Sequence, residues 1–212
     1  GFTSNSPNPS IVNASAAATG TYTLVVTDDN GCTDQLTTDV IVHATPTMNL
    51  PSPIEDCHGT AISEITLTGA ADSYDWEIDD PSIGFATNTG TDVIPAFTMD
   101  NTTNEPITAT VTVTPSISEG CEGLPQSFTI TVNPIPDVDV TNNSPFLCNN
   151  GETNIVLSSN ISGTIYSWTA SRTSGSTTGF PASGTGSIIQ HNLTGAGTVE
   201  YLITPTANGC PA

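Results

Sequence analysis

The sequence contains no lysine and only one arginine, Arg172, against 21 acidic residues, which gives a formal net charge of −20 over 212 residues. Binding to nucleic acid requires Lys and Arg to neutralise phosphates, so this composition excludes that class of partner. Anionic lipid headgroups repel such a chain for the same reason. No apolar run approaches the ~20 residues of a membrane-spanning helix, and we expect no direct membrane insertion.

The sequence also lacks the motifs of common catalytic sites. It has no phosphate-binding loop, no nucleophile elbow, no His-x-x-x-His and no Cys-x-x-Cys. We therefore predict no catalytic residue and no enzymatic activity. Without lysine, a Lys–Asn isopeptide cross-link is excluded, and any covalent brace has to be a disulfide.

A strand ending in Gly-Cys is present three times. The copies are TYTLVVTDDNGC (21–32), TATVTVTPSISEGC (108–121) and TVEYLITPTANGC (198–210). Apolar residues recur at every second position in each copy, and in the first two copies they alternate with threonines, with Val25 as the exception. This period of two predicts strands with one apolar and one solvated face.

Further landmarks precede the second and third copies in the same order. Cys57 is followed by Tyr-Asp-Trp ending at Trp76, and Cys148 is followed by Tyr-Ser-Trp ending at Trp168. Repeated short strands with turn signals and no amphipathic helix predict an all-β fold of tandem β-sandwiches in an elongated array.

Prolines mark the predicted joints between units, because proline is poorly tolerated in paired strands and stiffens linkers. Pro46 and Pro134 divide the chain into residues 1–45, 46–133 and 134–212. We interpret these as the C-terminal half of one repeat, a complete sandwich, and a sandwich lacking its last strand. The chain is then an excerpt of a longer array. The alternative is a natural protein with degenerate end caps, whose sheet edges would be open.

The cysteines fall in phase with the repeat. This phase predicts the disulfides Cys57–Cys121 and Cys148–Cys210, and it leaves Cys32 for a partner outside the chain. Each closed loop of about 60 residues would stabilise its unit by about 4 kcal/mol and would imply an oxidising, extracellular location. Buried free thiols are the alternative.

Acidic clusters are candidates for weak Ca²⁺ binding, since Ca²⁺ prefers oxygen ligands. The candidates are Asp28, Asp29, Asp79, Asp80, Asp137 and Asp139. Asp-Asn-Gly is also the ordinary composition of a tight turn, and this interpretation is favoured for 28–30. Alternate solvent-facing residues on an edge strand explain Asp137 and Asp139 equally well. We thus expect no cofactor other than calcium.

The aromatic residues, histidines and sequons have structural interpretations beside the functional ones. Trp76 and Trp168 are expected in the core rather than in a carbohydrate platform, together with Tyr22 and Tyr201. His43 and His191 have no partner at metal-ligand spacing, and His58, beside Glu55 and Asp56, is expected to be a solvated loop residue rather than a ligand. Asn13, Asn101, Asn160 and Asn192 begin Asn-x-Ser/Thr sequons, which are candidate glycosylation sites, although such triplets arise readily by chance in a Thr-rich chain.

These residues resemble a known class of repeats. The segment GFTSNSPNPSIVNASAAATGTYTLVVTDDNGC (1–32) is similar to Ig-like repeats of Bacteroidota surface proteins. The units containing YDWEI and YSWTA resemble the PKD-like repeats found beside them. The resemblance implies a very long extracellular or outer-membrane-associated protein, such as a gliding-motility adhesin, exported by type IX secretion.

The predicted function is a stalk of disulfide-braced repeats that presents a distal binding tip. The partners are then neighbouring repeats of the same chain. The alternative is that the repeats themselves bind surface glycans or partner filament subunits, or polymerise by strand donation into an extracellular filament.

Overall fold

A computed structural model describes residues 1–212, and its regular structure is almost entirely β, as predicted. No helix in it is long and apolar enough to cross a membrane. The elements, in chain order, are a 3-10 helix Ala16–Ala18, β1 Gly20–Thr27, β2 Thr33–Val40, β3 Thr47–Asn49, β4 Ile54–Cys57, β5 Ala61–Ile62, β6 Ile65–Thr66, β7 Thr68–Ala70, β8 Ser73–Ile78, a 3-10 helix Pro81–Ile83, β9 Thr89–Thr91, β10 Val93–Ile94, β11 Phe97–Thr98, β12 Ile107–Ser116, β13 Gln126–Asn133, β14 Asp139–Asn142, β15 Gly151–Glu152, β16 Ile155–Ser158, β17 Ile165–Gly175, β18 Ser183–Thr185, β19 Ile188–Ile189, β20 Asn192–Leu193, β21 Gly197–Ala207 and β22 Cys210–Pro211.

The first segment, residues 1–45, is a two-stranded hairpin in which β1 pairs only with β2. Its apolar side chains are exposed: Leu24 is 64% exposed and Leu36 75%. Tyr22, half-buried, donates its hydroxyl to the carbonyl of Ala18 at 2.7 Å. A tyrosine near a strand start that binds backbone just upstream is a feature of immunoglobulin-type sandwiches.

The strands from β3 to β13, within residues 46–133, form a β-sandwich that is called the middle domain below. One sheet has the order β4-β13-β12-β8-β9, in which β4 is parallel to β13 and the other neighbours are antiparallel. The facing layer consists of the short pairs β3·β7, β6·β10 and β5·β11. Fourteen buried residues form the core between the layers, because the alternate apolar residues of β8, β12 and β13 point inward.

The third domain, residues 134–212, repeats this plan with a smaller core. Its sheets have the orders β18-β17-β21-β22 and β14-β16-β19, with β15·β20 as an additional pair. Five buried residues form the core cluster, contributed by β16, β17 and β19. No sheet crosses between the first segment, the middle domain and the third domain.

Both sandwiches place a tryptophan against a glycine on the neighbouring strand. Trp76 pairs in register with Gly90, and Trp168 pairs with Gly184. A β-carbon added at Gly90 would collide with Cζ2 of Trp76, and one added at Gly184 would collide with Cζ2 of Trp168. The missing side chain therefore creates the space in which each indole lies.

The recurring Gly-Cys is a turn with a fixed backbone geometry. Gly31, Gly120 and Gly209 have φ of 82°, 85° and 82°, the left-handed region in which glycine carries no steric penalty. Asp28 and Ile117 each donate their N–H to the carbonyl of the following turn cysteine at 3.0 Å. The glycine is thus required by the turn, and the cysteine is placed at one end of the strand pair.

The substitution Gly90→Ala tests the packing of Trp76. The new methyl group collides with the indole, and we expect the middle domain to lose about 1–3 kcal/mol of stability, as overpacked cores do. Urea unfolding monitored by tryptophan fluorescence measures the loss. The matched control is Gly20→Ala, because a β-carbon at that strand glycine meets nothing within 4 Å. Equal stability of the two variants would contradict the role given to Gly90.

Candidate functional site

The most distinctive site joins the two sandwiches covalently. Cys57 and Cys210 form a disulfide with 5.6 Å between their Cα atoms. The predicted pairings Cys57–Cys121 and Cys148–Cys210 are therefore wrong. The bond connects the middle domain to the third domain instead of closing a loop within either one.

The geometry of the middle domain explains why Cys57 does not reach Cys121. Cys57 is in register with Asn133 at the distal end, where the chain leaves the domain. Cys121 follows Ser116 at the proximal end, where the chain enters beside Pro46. The intervening length of β12 spans about 30 Å at ~3.3 Å per residue, whereas a disulfide needs Cα atoms within about 7 Å.

The third domain separates its two cysteines in the same way. Cys210 pairs with Ala207 at the proximal end of β21, close to Tyr166 and Asp137. Cys148 lies at the distal end, where its carbonyl accepts the N–H of Gly151. Since β21 extends about 30 Å, each sandwich carries one cysteine at each end. The distal cysteine of the middle domain meets the proximal cysteine of the third domain at the joint.

The joint is packed around proline. Pro134 and Pro136 are almost fully buried, and between them Ile135 is 41% exposed. Asn133 is 4% exposed and donates its side-chain amide to Glu55 Oε1 at 3.0 Å, while its carbonyl accepts the N–H of His58 at 2.8 Å. The last residue of β13 is thus anchored before the chain passes into the third domain.

His58 lies at the distal end of the middle domain, where its side chain accepts a hydrogen bond. Its Nδ1 accepts the backbone N–H of Asn101 at 2.9 Å and also lies 3.3 Å from Asp100 Oδ1. No group of three His, Cys, Asp or Glu residues surrounds this histidine or any other point in the structure.

Three cysteines have no disulfide partner within the chain: Cys32, Cys121 and Cys148, all exposed. The expected partner of Cys32 outside the chain stays a prediction. Cys121 occupies the proximal end of its domain, as Cys210 does in the next domain. In both, the residue two positions after the cysteine donates its N–H to the strand proline: Gly123 to Pro115 at 2.8 Å and Ala212 to Pro205 at 3.2 Å.

The carboxylates predicted to bind calcium accept hydrogen bonds locally. Asp28 Oδ1 accepts the N–H groups of Asn30 and Cys32, and Asp79 Oδ1 accepts that of Thr110 at 2.7 Å. Asp80 caps the 3-10 helix Pro81–Ile83 through Ser82. The structure brings no three of the six aspartates together, and Asp29 and Asp139 make no side-chain hydrogen bond. Calcium binding by these residues stays a prediction without a preformed site.

Asp137 fixes the proximal end of the third domain. Its carboxylate accepts the N–H of Asn160 and the hydroxyl of Ser159, and these hydrogen bonds hold its pKa below the usual value. Burial raises the pKa of Tyr166, and the nearby charges of Asp137 and Asp139 add to that shift.

The four aromatic residues predicted to lie in a core differ in how far they are buried. Trp76 and Trp168 are 3% and 5% exposed, and Trp76 donates its indole N–H to the carbonyl of Val93 at 2.9 Å. Tyr201 is half-buried against the core of the third domain. Tyr22 is half-buried on the hairpin and belongs to neither core cluster, because that hairpin has no facing layer.

One of the four candidate glycosylation sites is buried. Asn101 is 3% exposed, and its side-chain amide donates to the carbonyls of Glu105 and Val132 at 2.9 and 2.7 Å. A glycan at Asn101 is excluded in the folded domain, since both amide hydrogens are engaged and the residue lies under the distal end. The sequon asparagines Asn13, Asn160 and Asn192 are exposed.

His191 lies among aromatic rings in the third domain. Its ring is 5.2 Å from that of Trp168 and stacks on Tyr201 with 6.1 Å between centroids. Its Nε2 is buried without a hydrogen-bond partner in the protein, and burial lowers the pKa of His191. This cluster could not be predicted from local patterns, because Trp168 lies on β17, Tyr201 on β21, and His191 just before β20.

Disulfide mapping tests the joint directly. Combined Asp-N and Glu-C digestion without reduction separates Cys148 from Cys210, because Glu152 and Glu200 lie between them. Mass spectrometry of this digest is expected to yield a peptide pair linking Cys57 to Cys210. Thiol counting of the unfolded protein should give three free cysteines, since Cys32, Cys121 and Cys148 are unpaired. A pair linking Cys57 to Cys121 would contradict the structure.

The half-buried His191 side chain, with its buried Nε2, predicts a pH dependence of stability. The unfolded chain binds a proton at the ordinary histidine pKa of about 6.5, whereas the folded domain resists protonation of His191. The unfolded state therefore takes up more protons, and stability falls as the pH drops from 7.5 to 5.5. Calorimetric melting temperatures of His191→Gln should show a weaker fall than those of the wild type. His43→Gln, which alters an exposed histidine, should retain the wild-type slope.

Comparisons with known proteins identify part of this architecture. Residues 54–136 match the PKD-like domain family. None of the curated proteins compared with the chain matches it. Among solved structures, the chain is similar to the N-terminal eight Ig domains of Down Syndrome Cell Adhesion Molecule, isoform 1.30.30, at 12% identity and a TM-score of 0.43. That alignment covers 93% of this chain and 30% of the other. It is also similar to the FN1–FN3 domains of chicken CNTN1, at 12% identity and a TM-score of 0.34 over 90% of this chain and 71% of that one. The family match thus extends from β4 through β13 to the linker prolines, and it leaves out β3.

Proposed function

We propose that this chain is a non-enzymatic spacer segment of a secreted surface protein, in which braced sandwiches hold a binding tip away from the cell. The observation that carries the proposal is the joint. Two β-sandwiches follow one another end to end, with buried prolines in the linker and a disulfide across it. A disulfide is typical of oxidising, extracellular locations, and PKD-like domains are generally non-catalytic structural modules.

The surface of the molecule supports an extended shape. The accessible area is 12974 Å², whereas a compact monomer of 21.8 kDa would expose about 9300 Å². A string of small units has this excess because each unit exposes nearly its whole perimeter. The acidic, lysine-free surface opposes collapse of one unit onto another and limits self-association.

Placement in a long Bacteroidota adhesin exported by type IX secretion and associated with the outer membrane is the finer part of the proposal. It is supported by the Gly-Cys and Tyr-x-Trp phrases of the sequence and by the PKD-like match. Binding of glycans, calcium or partner subunits by the repeats remains a prediction.

A second candidate function is assembly into a filament through strand pairing. The exposed apolar residues of the hairpin favour it, because β1·β2 has no facing layer and Leu24, Val26 and Leu36 are more than half exposed. An uncovered apolar ribbon can accept a strand or sheet from another chain.

Small-angle X-ray scattering separates the two functions. A spacer is expected to stay monomeric, with a radius of gyration well above the ~17 Å of a compact globule of this length. Concentration-dependent growth into fibres, seen by electron microscopy of the same sample, would favour the filament. A monomer with a radius near that of a globule would contradict the spacer.

A further inference from the structure

We propose that the Cys57–Cys210 disulfide is a mechanical shunt, which carries tension from one domain to the next and removes it from the sandwiches themselves. The bond joins residues 153 positions apart, so almost the whole of both domains lies inside the loop that it closes. The inference deepens the spacer function proposed above. Its test is nevertheless a property of the molecule that does not require that function.

Without the bond, tension would cross the full length of the middle domain. Load enters at Pro46 on the proximal end and would leave through Asn133 on the distal end. The strands β3 and β13 would be pulled in opposite directions, and the load would next pass through Pro134 and Pro136. Resistance would then depend on hydrogen bonds and packing alone, and these yield at a rate set by the unfolding barrier.

With the bond, the load leaves the middle domain at Cys57. Only 47–57 remain under tension there, held by the pairing of β3 with β7 and of β4 with β13. The sheet strands β8, β12 and β13 receive no direct pull. In the third domain the tension enters at Cys210. It therefore does not pass through the proline linker or through the strands from β14 to β21.

The position of the bond suits this role. Cys210 is fully buried and Cys57 is half-buried, so the joint shields the disulfide from solvent reductants and thiols. The bond also connects the two facing ends of consecutive domains, which is the shortest covalent path between them. A disulfide within one domain would protect that domain alone.

Single-molecule stretching measures the shunt. The full chain is held by peptide tags at Gly1 and Ala212 and stretched until no further unfolding occurs. The double variant Cys57→Ser/Cys210→Ser should reach a contour length about 500 Å greater than the wild type, because the 153-residue loop is released at ~3.4 Å per residue. The control Cys148→Ser removes a free, exposed thiol and should match the wild type. Equal lengths for the double variant and the wild type would overturn the proposal.

Loop insertions test the same path with the disulfide intact and do not depend on the folding of the double variant. A flexible Gly/Ser insertion of roughly thirty residues between Glu119 and Gly120, in an exposed turn inside the loop, should leave the stretched length unchanged. The same insertion between Asp29 and Asn30, outside the loop, should lengthen it by about 100 Å. Lengthening by both insertions would show that tension passes through the sandwiches, whatever the scattering radius of the protein.

Discussion

A disulfide forms only where two cysteine Cα atoms lie within about 7 Å of each other, and this constraint determines how the two sandwiches are joined. Cys57 and Cys210 satisfy it at 5.6 Å because they lie on facing ends of consecutive domains. The two cysteines of each domain are separated by the length of a strand and do not satisfy it. The facing ends of the two domains form one joint. The linker prolines, the anchored Asn133 and the buried Cys210 all lie in it.

Much of the fold could be predicted from periodicity, because alternation of Thr with Val, Ile or Tyr reports directly on which strand face is buried. The three Gly-Cys turns and the two indoles lie at corresponding places for that reason. Spacing along a chain does not, however, report the direction in which a strand runs. The correct partner of Cys57 could be found only by following β4 and β13 together to the distal end, and then asking which cysteine the next domain places there.

The same limit explains Asn101 and Gly90. A sequon is a local pattern, whereas the burial of Asn101 under the distal end arises from contacts with Val132, thirty-one residues away in sequence. A glycine within a strand ordinarily weakens it. Gly90 and Gly184 make room for an indole on the adjacent strand, and that pairing exists only after the sheet has formed. Sites that arise from the register between separate strands therefore cannot be predicted from local sequence patterns.

The scarcity of basic residues has a further consequence once the disulfide is in place. Proteases that cleave after Lys or Arg find a single target, Arg172, on β17 of the third domain. Cleavage there divides the backbone between Cys57 and Cys210, so the sulfur bridge still holds the two fragments together. After this single cleavage, the N-terminus and the C-terminus would therefore still belong to one covalently linked molecule.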